Sequence, residues 1–299
     1  MKMTRNIISC LSVGILATGI CSCSNSDPEL QLTQPDGKIA MKFNFNHPSQ
    51  TRATETAFQQ GDKAGLFVCD ANSTFEIAGN AVNNEKVTFG GSGWSFGRQL
   101  YWDNGTYNAY GYYPYSETIS SISDLPFEVN TDQSAGASGD TLSGYEASDF
   151  LYASATGIQA SANPVDMTFR HIMSKITVRL IKGEDFEGEL PDDATVYIHN
   201  TVTQATIDLN AGVATKLNKG TEKTITAKPN GNHAYTAIVV PQRLDNRVPL
   251  IEVVMKGVSY LYESKFLFKQ GTHHLVNLEV DKNPEQIKID VGGEIVNWD

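Results

Sequence analysis

Cysteine is scarce in this 299-residue chain: there are four, and three of them, Cys10, Cys21 and Cys23, fall before residue 24. A fold stapled by disulfides is excluded, and a chain of this length must be held by its own core. Helical periodicity is nearly absent, since no window keeps amphipathic spacing for twelve residues. Clustered Lys and Arg are missing from a chain with a formal net charge of -11, which argues against a nucleic-acid partner. Converging metal ligands are missing too. The six histidines are scattered, and neighbours His273 and His274 on a strand point to opposite faces. Gly90-Gly91-Ser92-Gly93-Trp94 lacks the closing glycine and following helix of a nucleophile elbow. Gly91, Gly93 and Gly97 miss the dinucleotide spacing by one residue. Asp103-Asn104-Gly105 is too short for a calcium loop. No catalytic set and no cofactor site emerges, so the reading is not an enzyme.

What is present begins at the amino terminus. Lys2 and Arg5 precede an uncharged apolar run, Ile7 to Ile20, which is shorter than the ~20 residues of a membrane span and reads as a secretory signal. It ends in Ile20-Cys21-Ser22-Cys23, which resembles a bacterial lipobox with Cys23 as lipid acceptor. Ile20 stands three places before the thiol and small Ser22 immediately before it, whereas Cys21 would follow bulky Ile20. Two or three acyl chains at about 0.8 kcal/mol per buried CH₂ make a durable anchor. The competing reading is an ordinary secretion signal with incidental cysteines. Cleavage before Cys23 removes Lys2 and Arg5 and takes the net charge from -11 to -13. Cys69 lies in the apolar run Leu66-Phe67-Val68-Cys69 and reads as a small core residue.

Along the chain, residues 1–22 are the signal and 23–37 a polar tether. From Lys38 the pattern has period two: Ile39, Met41, Phe43 and Phe45 alternate with Lys42, Asn44 and Asn46, the signature of a half-buried strand. A polar loop from His47 to Thr56 carries one cation, Arg52. Short strand patterns then recur to the end, divided by turns such as Gly90-Gly91-Ser92-Gly93. Asp103-Asn104-Gly105, between two aromatic runs, reads as a hairpin turn. Residues 130–147, rich in Ser, Gly, Asp and Ala, read as a mobile surface loop. A shift of apolar parity between Met173 and Ile176 predicts a bulge near Ser174. The expected fold is all-β, with two tandem β-sandwich domains of Greek-key or transthyretin-like topology at residues 38–162 and 163–299.

Several segments together resemble the fimbrillin (Mfa-like) family, the lipoprotein pilus subunits of Bacteroidales. They include Thr51-Arg52-Ala53-Thr54, Gly61-Asp62-Lys63-Ala64-Gly65-Leu66-Phe67-Val68 and Tyr107-Asn108-Ala109-Tyr110-Gly111-Tyr112-Tyr113-Pro114-Tyr115. Further on come Asp149-Phe150-Leu151-Tyr152-Ala153, Phe169-Arg170-His171-Ile172-Met173-Ser174-Lys175-Ile176, Val239-Val240-Pro241-Gln242 and Lys269-Gln270-Gly271-Thr272-His273. The resemblance implies two β-sandwiches and a mechanism. A lipoprotein is carried to the outer membrane surface. A trypsin-like protease then cuts between Arg52 and Ala53, and residues 38–46 leave with the lipid. A C-terminal strand of the next subunit fills the groove, so the implied partners are other pilus subunits. The implied donor is the tail, with Ile287, Ile289 and Val291 on one face, then Gly292-Gly293 and a last segment ending at Trp298. Removing an edge strand leaves unpaired backbone groups and an open core, which another strand satisfies. Arg52 could equally be an ordinary loop cation, and the tail an ordinary edge strand. Asp140-Thr141-Leu142 resembles the three-residue O-glycosylation acceptor of these bacteria, at Thr141. The rival function is a non-polymerising surface lipoprotein that binds glycan or a host ligand, on rings displayed between Trp94 and Tyr115. Alternation assigns most of those rings to the core.

Overall fold

The computed structural model describes residues 37–47, 57–139, 141–283 and 288–296; within the last stretch, the side chains described are those of Gly293 and Glu294. The fold is all-β. Among the described residues the one helical turn is a 3-10 segment, Glu146–Ser148.

The run Leu66-Phe67-Val68-Cys69 explains the architecture. Strand Lys63–Asp70 is buried on both faces, so period-two alternation disappears from its sequence. Ala64, Leu66 and Val68 face one core, while Phe67 and Cys69 face another. Its neighbours divide in the same way. Tyr107, Ala109 and Tyr113 join the first core, and Tyr110 and Tyr112 the second. This six-stranded sheet is therefore a shared wall. Its strands run in the order Arg170–His171, Leu151–Gln159, Thr106–Tyr113, Lys63–Asp70, Val82–Phe89, Trp94–Phe96. The smaller core, reaching from Met41 to Phe169, lies under the opening strand Phe43–Asn46. The larger core, reaching from Phe67 to Val280, is fed by the remaining sheets.

Their ladders are antiparallel except for two, that between Phe43–Asn46 and Val165–Thr168 and one in the five-stranded sheet. The five-stranded sheet runs Lys228–Pro229, Ala234–Val239, Ser174–Lys182, Thr272–Val280, Lys288–Val296, and Ser174–Lys182 is parallel to Thr272–Val280. A four-stranded sheet runs Glu222–Thr226, Thr195–Val202, Gln242–Met255, Val258–Phe268. Three ladders cross the expected division at residue 162. Val165–Thr168 pairs with Phe43–Asn46, Arg170–His171 with Leu151–Gln159, and Gln204–Asp208 with Leu125–Glu128.

Three local expectations are corrected. The parity shift after Met173 is not a bulge. Arg170–His171 pairs in the six-stranded sheet and Ser174–Lys182 in the five-stranded one, so the chain changes sheets there. Asp103-Asn104-Gly105 does not close a hairpin, because Tyr101–Trp102 is taken by Ile39–Ala40. The stretch 130–147 is anchored rather than loose. Gln133 is fully buried, and its side-chain amide exchanges two 2.7 Å hydrogen bonds with the backbone of Ile238, standing in for a strand.

Candidate functional site

The opening segment is held at its margins. Ile39–Ala40 pairs with Tyr101–Trp102, and Phe43–Asn46 runs parallel to Val165–Thr168 with Phe45 opposite Met167. Three backbone bonds of 2.9 Å fix its path: Met41 N–H to the Leu100 carbonyl, Val165 N–H to Lys42, and Phe169 N–H to Asn46. Each short strand has one ladder partner among the described residues. On Phe45 a side chain supplies a further tie, the Trp94 indole N–H donating to the Phe45 carbonyl at 3.0 Å.

Inward side chains make the segment costly to remove. Met41, Phe43 and Phe45 are each under 7% exposed. The Phe43 ring lies 6.1 Å from Phe96 and 6.0 Å from Trp102. The Phe45 ring lies 5.2 Å from Trp94 and 5.4 Å from Phe169. Burying such a side chain is worth roughly 1.5–3 kcal/mol, so three of them approach the ~5–15 kcal/mol by which a whole domain is stable. Loss without replacement would leave an apolar trough.

The chain leaves this strand at His47 and returns at Phe58, whose rings are 5.1 Å apart. Arg52 and Ala53 lie between them, outside the described residues. Around the exit, His171 is buried with Nδ1 on the Asp149 carboxylate at 3.0 Å. Tyr113 donates to Asp62 at 3.2 Å, and burial raises the pKa of both groups.

The closing strand, Lys288–Val296, is docked on its own subunit as the outermost member of the five-stranded sheet. Ile289 stands opposite Leu278 and Val291 opposite Val276, while Gly293 stands opposite Leu275. The register slips between those pairs, and Gly292 has no opposite residue. Gly293 has φ +122, a conformation that suits glycine. Beyond the slip, Glu294 stands opposite His274 and is held by two groups. Lys269 Nζ pairs with its Oε2, and His274 Nδ1 lies 3.5 Å from its Oε1. His274 Nε2 accepts the Lys269 backbone N–H, which places the ring proton on Nδ1, toward Glu294. Burial lowers the His274 pKa, and the Lys269 bond lowers that of Glu294. Ile287 and Trp298 lie outside the described residues, as does Cys23.

The remaining candidates are placed as follows. Thr141 is exposed on a tight turn, exchanging backbone bonds with Ser138. Cys69 is buried, and burial pushes its thiol up, which leaves it unreactive. None of the nine rings between Trp94 and Tyr115 is exposed; Trp102, Tyr107, Tyr110, Tyr112 and Tyr113 are fully in the cores. Sequence reasoning read a β pattern from Met167 onward but missed that Val165–Thr168 pairs with the opening strand, and it missed the roles of Trp94 and Lys269. The strand Trp94–Phe96 follows a glycine turn closed by the Gly90 N–H to Gly93 bond, and that turn was the available signal.

The fimbrillin-like family model matches residues 51–298, from just past the opening strand through the closing one. The chain belongs to the fimbrillin-like family. None of the curated proteins matches it. Solved structures do. A protein from Bacteroides uniformis assigned to cell adhesion aligns with a TM-score of 0.65 at 22% identity, covering 89% of this chain and all of that one. A similar assignment from Bacteroides ovatus gives 0.64 at 21% identity, covering 87% and 97%. The tip fimbrial protein Mfa3 of Porphyromonas gingivalis, with a C-terminal truncation, gives 0.52 at 8% identity, covering 87% of this fimbrillin-like chain and all of that one. These likenesses carry the fold. With the family they place the chain among fimbrial and adhesion proteins of the cell surface, which are structural rather than enzymatic.

Proposed function

We propose that this fimbrillin-like chain is an outer-membrane lipoprotein, anchored through Cys23, that becomes a pilus subunit or its accessory when a trypsin-like protease cuts after Arg52. The cut frees residues 38–46 with the lipid, and the closing strand of a neighbour takes their place. The observation that carries the reading is the opening strand itself. It fills an aromatic trough with Met41, Phe43 and Phe45, yet each of its two short ladders has a single partner among the described residues. A strand both peripheral and deeply inserted is what β-augmentation can replace. The donor face is Ile287, Ile289 and Val291, with Trp298 near the end. The division into sandwiches near residue 162 and O-glycosylation at Thr141 belong to the same reading.

Its test is limited trypsin digestion of the folded protein. A new amino terminus at Ala53, with head-to-tail oligomers on gels, supports the proposal. A bond after Arg52 that resists under native conditions overturns it. The residue found at the amino terminus of protein recovered from cells separates the roles. Ala53 marks a polymer unit, and Cys23 marks a retained anchor or the non-polymerising ligand-binding lipoprotein. The family match supports the polymer, and the burial of the aromatic block weakens the glycan platform.

A further inference from the structure

We propose that the pocket now filled by Phe45 is the recognition socket of the trough, and that its incoming occupant is Trp298 of a second copy of this chain. The inference rests on the strand-exchange reading but seats the last residues, with Trp298, in the trough in place of the face of Ile287, Ile289 and Val291, which this register leaves ahead of it. Phe43-Asn44-Phe45-Asn46 and the last four residues, Val296-Asn297-Trp298-Asp299, share one pattern: apolar, asparagine, aromatic, then a short polar residue.

The socket belongs to the body of the subunit. Trp94 and Phe169 flank the Phe45 ring, and Phe58 closes between them at 4.8 Å from Trp94 and 5.6 Å from Phe169. All three lie beyond Arg52, so the pocket stays when residues 38–46 leave. Gly111 makes room for its floor. A Cβ there would come within 3.1 Å of the Phe169 ring. The Trp94 indole holds a backbone carbonyl at this position, a contact that any strand can satisfy. Specificity must therefore come from the side chain in the pocket.

Laid in the same direction as the opening strand, residues 294–299 fall on positions 41–46. Trp298 takes the socket, the single aromatic residue after Lys288. Val296 takes the place of Phe43. Asn297 takes that of Asn44, whose amide donates to Asp166 at 2.9 Å, and so can remake that bond. Ile295 falls at exposed Lys42. Glu294 falls at Met41, over a floor with an unmet need. Trp102 is buried beside Phe43, and its Nε1 has no hydrogen-bond partner among the described residues. The resident strand offers it the apolar side chains of Ile39, Met41 and Phe43, whereas Glu294 brings an acceptor. Gly292 and Gly293 fall where Ile39 and Ala40 face Trp102 and Tyr101, leaving the indole uncovered by a side chain. Glu294 leaves Lys269 and His274 to make this exchange.

The experiment uses the full chain treated with an arginine-specific protease, together with a synthetic peptide of residues 286–299. The expected result is that the wild-type peptide binds the cleaved protein and stops its oligomers from growing. Trp298→Ala should bind at least about tenfold more weakly, as an aromatic anchor lost from a closed pocket does, while Trp298→Phe stays within a few-fold. Equal binding by wild type and Trp298→Ala overturns the socket. So does a peptide weakened by Ile289→Asp with Val291→Asp but not by Trp298→Ala, which would place the other face of the tail in the trough. Failure of the wild-type peptide to bind a subunit that has been cut after Arg52 overturns the strand-exchange reading and this inference with it.

Discussion

The indole N–H of Trp94 donates to the backbone carbonyl of Phe45 at 3.0 Å while its ring packs 5.2 Å from the Phe45 ring. One side chain thus does for the open side of the opening strand what a neighbouring strand would do. Trp94→Phe keeps a ring and removes the donor. It should cost about 1 kcal/mol and speed amide exchange of residues 43–46 roughly fivefold, with the larger core unchanged. Hydrogen exchange resolved by residue checks this, and uniform acceleration across the chain would refute it.

Phe45→Ala should cost about 3–5 kcal/mol in the uncut protein, the range for a large ring removed from a packed site. Once residues 38–46 have been cut away, the same substitution should have no effect on the body. Thermal denaturation of the two forms makes the comparison.

Arg52→Gln should abolish both the Ala53 terminus and the oligomers, which amino-terminal sequencing and gels check. Oligomers that form from uncut Arg52→Gln protein would show assembly without processing.

Docking of the closing strand should weaken in acid. His274, on the strand Thr272–Val280 that receives the closing strand, has its pKa lowered below the ordinary 6.5 by burial, with Glu294 acting to raise it, and Glu294 has its pKa lowered below the ordinary 4.5 by Lys269. Both depressed groups stabilise docking fully above their ordinary values, and both contributions are lost as the pH falls through the lowered ones. The groups facing His274 are Glu294 from the closing strand and Lys269 from the turn before its own strand. Protection of residues 288–296 should fall as the pH drops below 6.5 and again below 4.5, and Glu294→Gln should remove the lower step. Protection that stays flat over both steps would dismiss the clamp.

Gly65→Ala tests the shared wall. A Cβ at Gly65 would sit 2.0 Å from the ring of Tyr112, its cross-strand partner, which is 1% exposed and hydrogen-bonded to Asn84. The ring has nowhere to go, so about 1–3 kcal/mol of stability should be lost. Chemical denaturation measures it.

Much of this was legible before the structure. Alternation at Ile39 to Asn46 gave the opening strand and its inward face, because one side meets the core and the other water. The unbroken run at Leu66 to Cys69 hid its meaning, since a strand buried twice carries no alternation. Tyr101–Trp102 looked like half of a hairpin because turn chemistry is local, while its true partner, Ile39–Ala40, lies some sixty residues away. Long-range pairing is also why Val165–Thr168 gave no hint that it would flank the first strand. The clamp on Glu294 needed three residues from two strands and a turn, which no spacing along the chain announces.

The parallel ladder between Phe43–Asn46 and Val165–Thr168 has a mechanical consequence. Rungs evenly spaced along a pulled strand share the load and yield together in shear, whereas a strand peeled from one end loses them singly. A neighbour's tail seated in the same lane and direction would put the tension of a stretched filament along that shear axis, so each joint would resist traction on the fibre far better than sideways tearing.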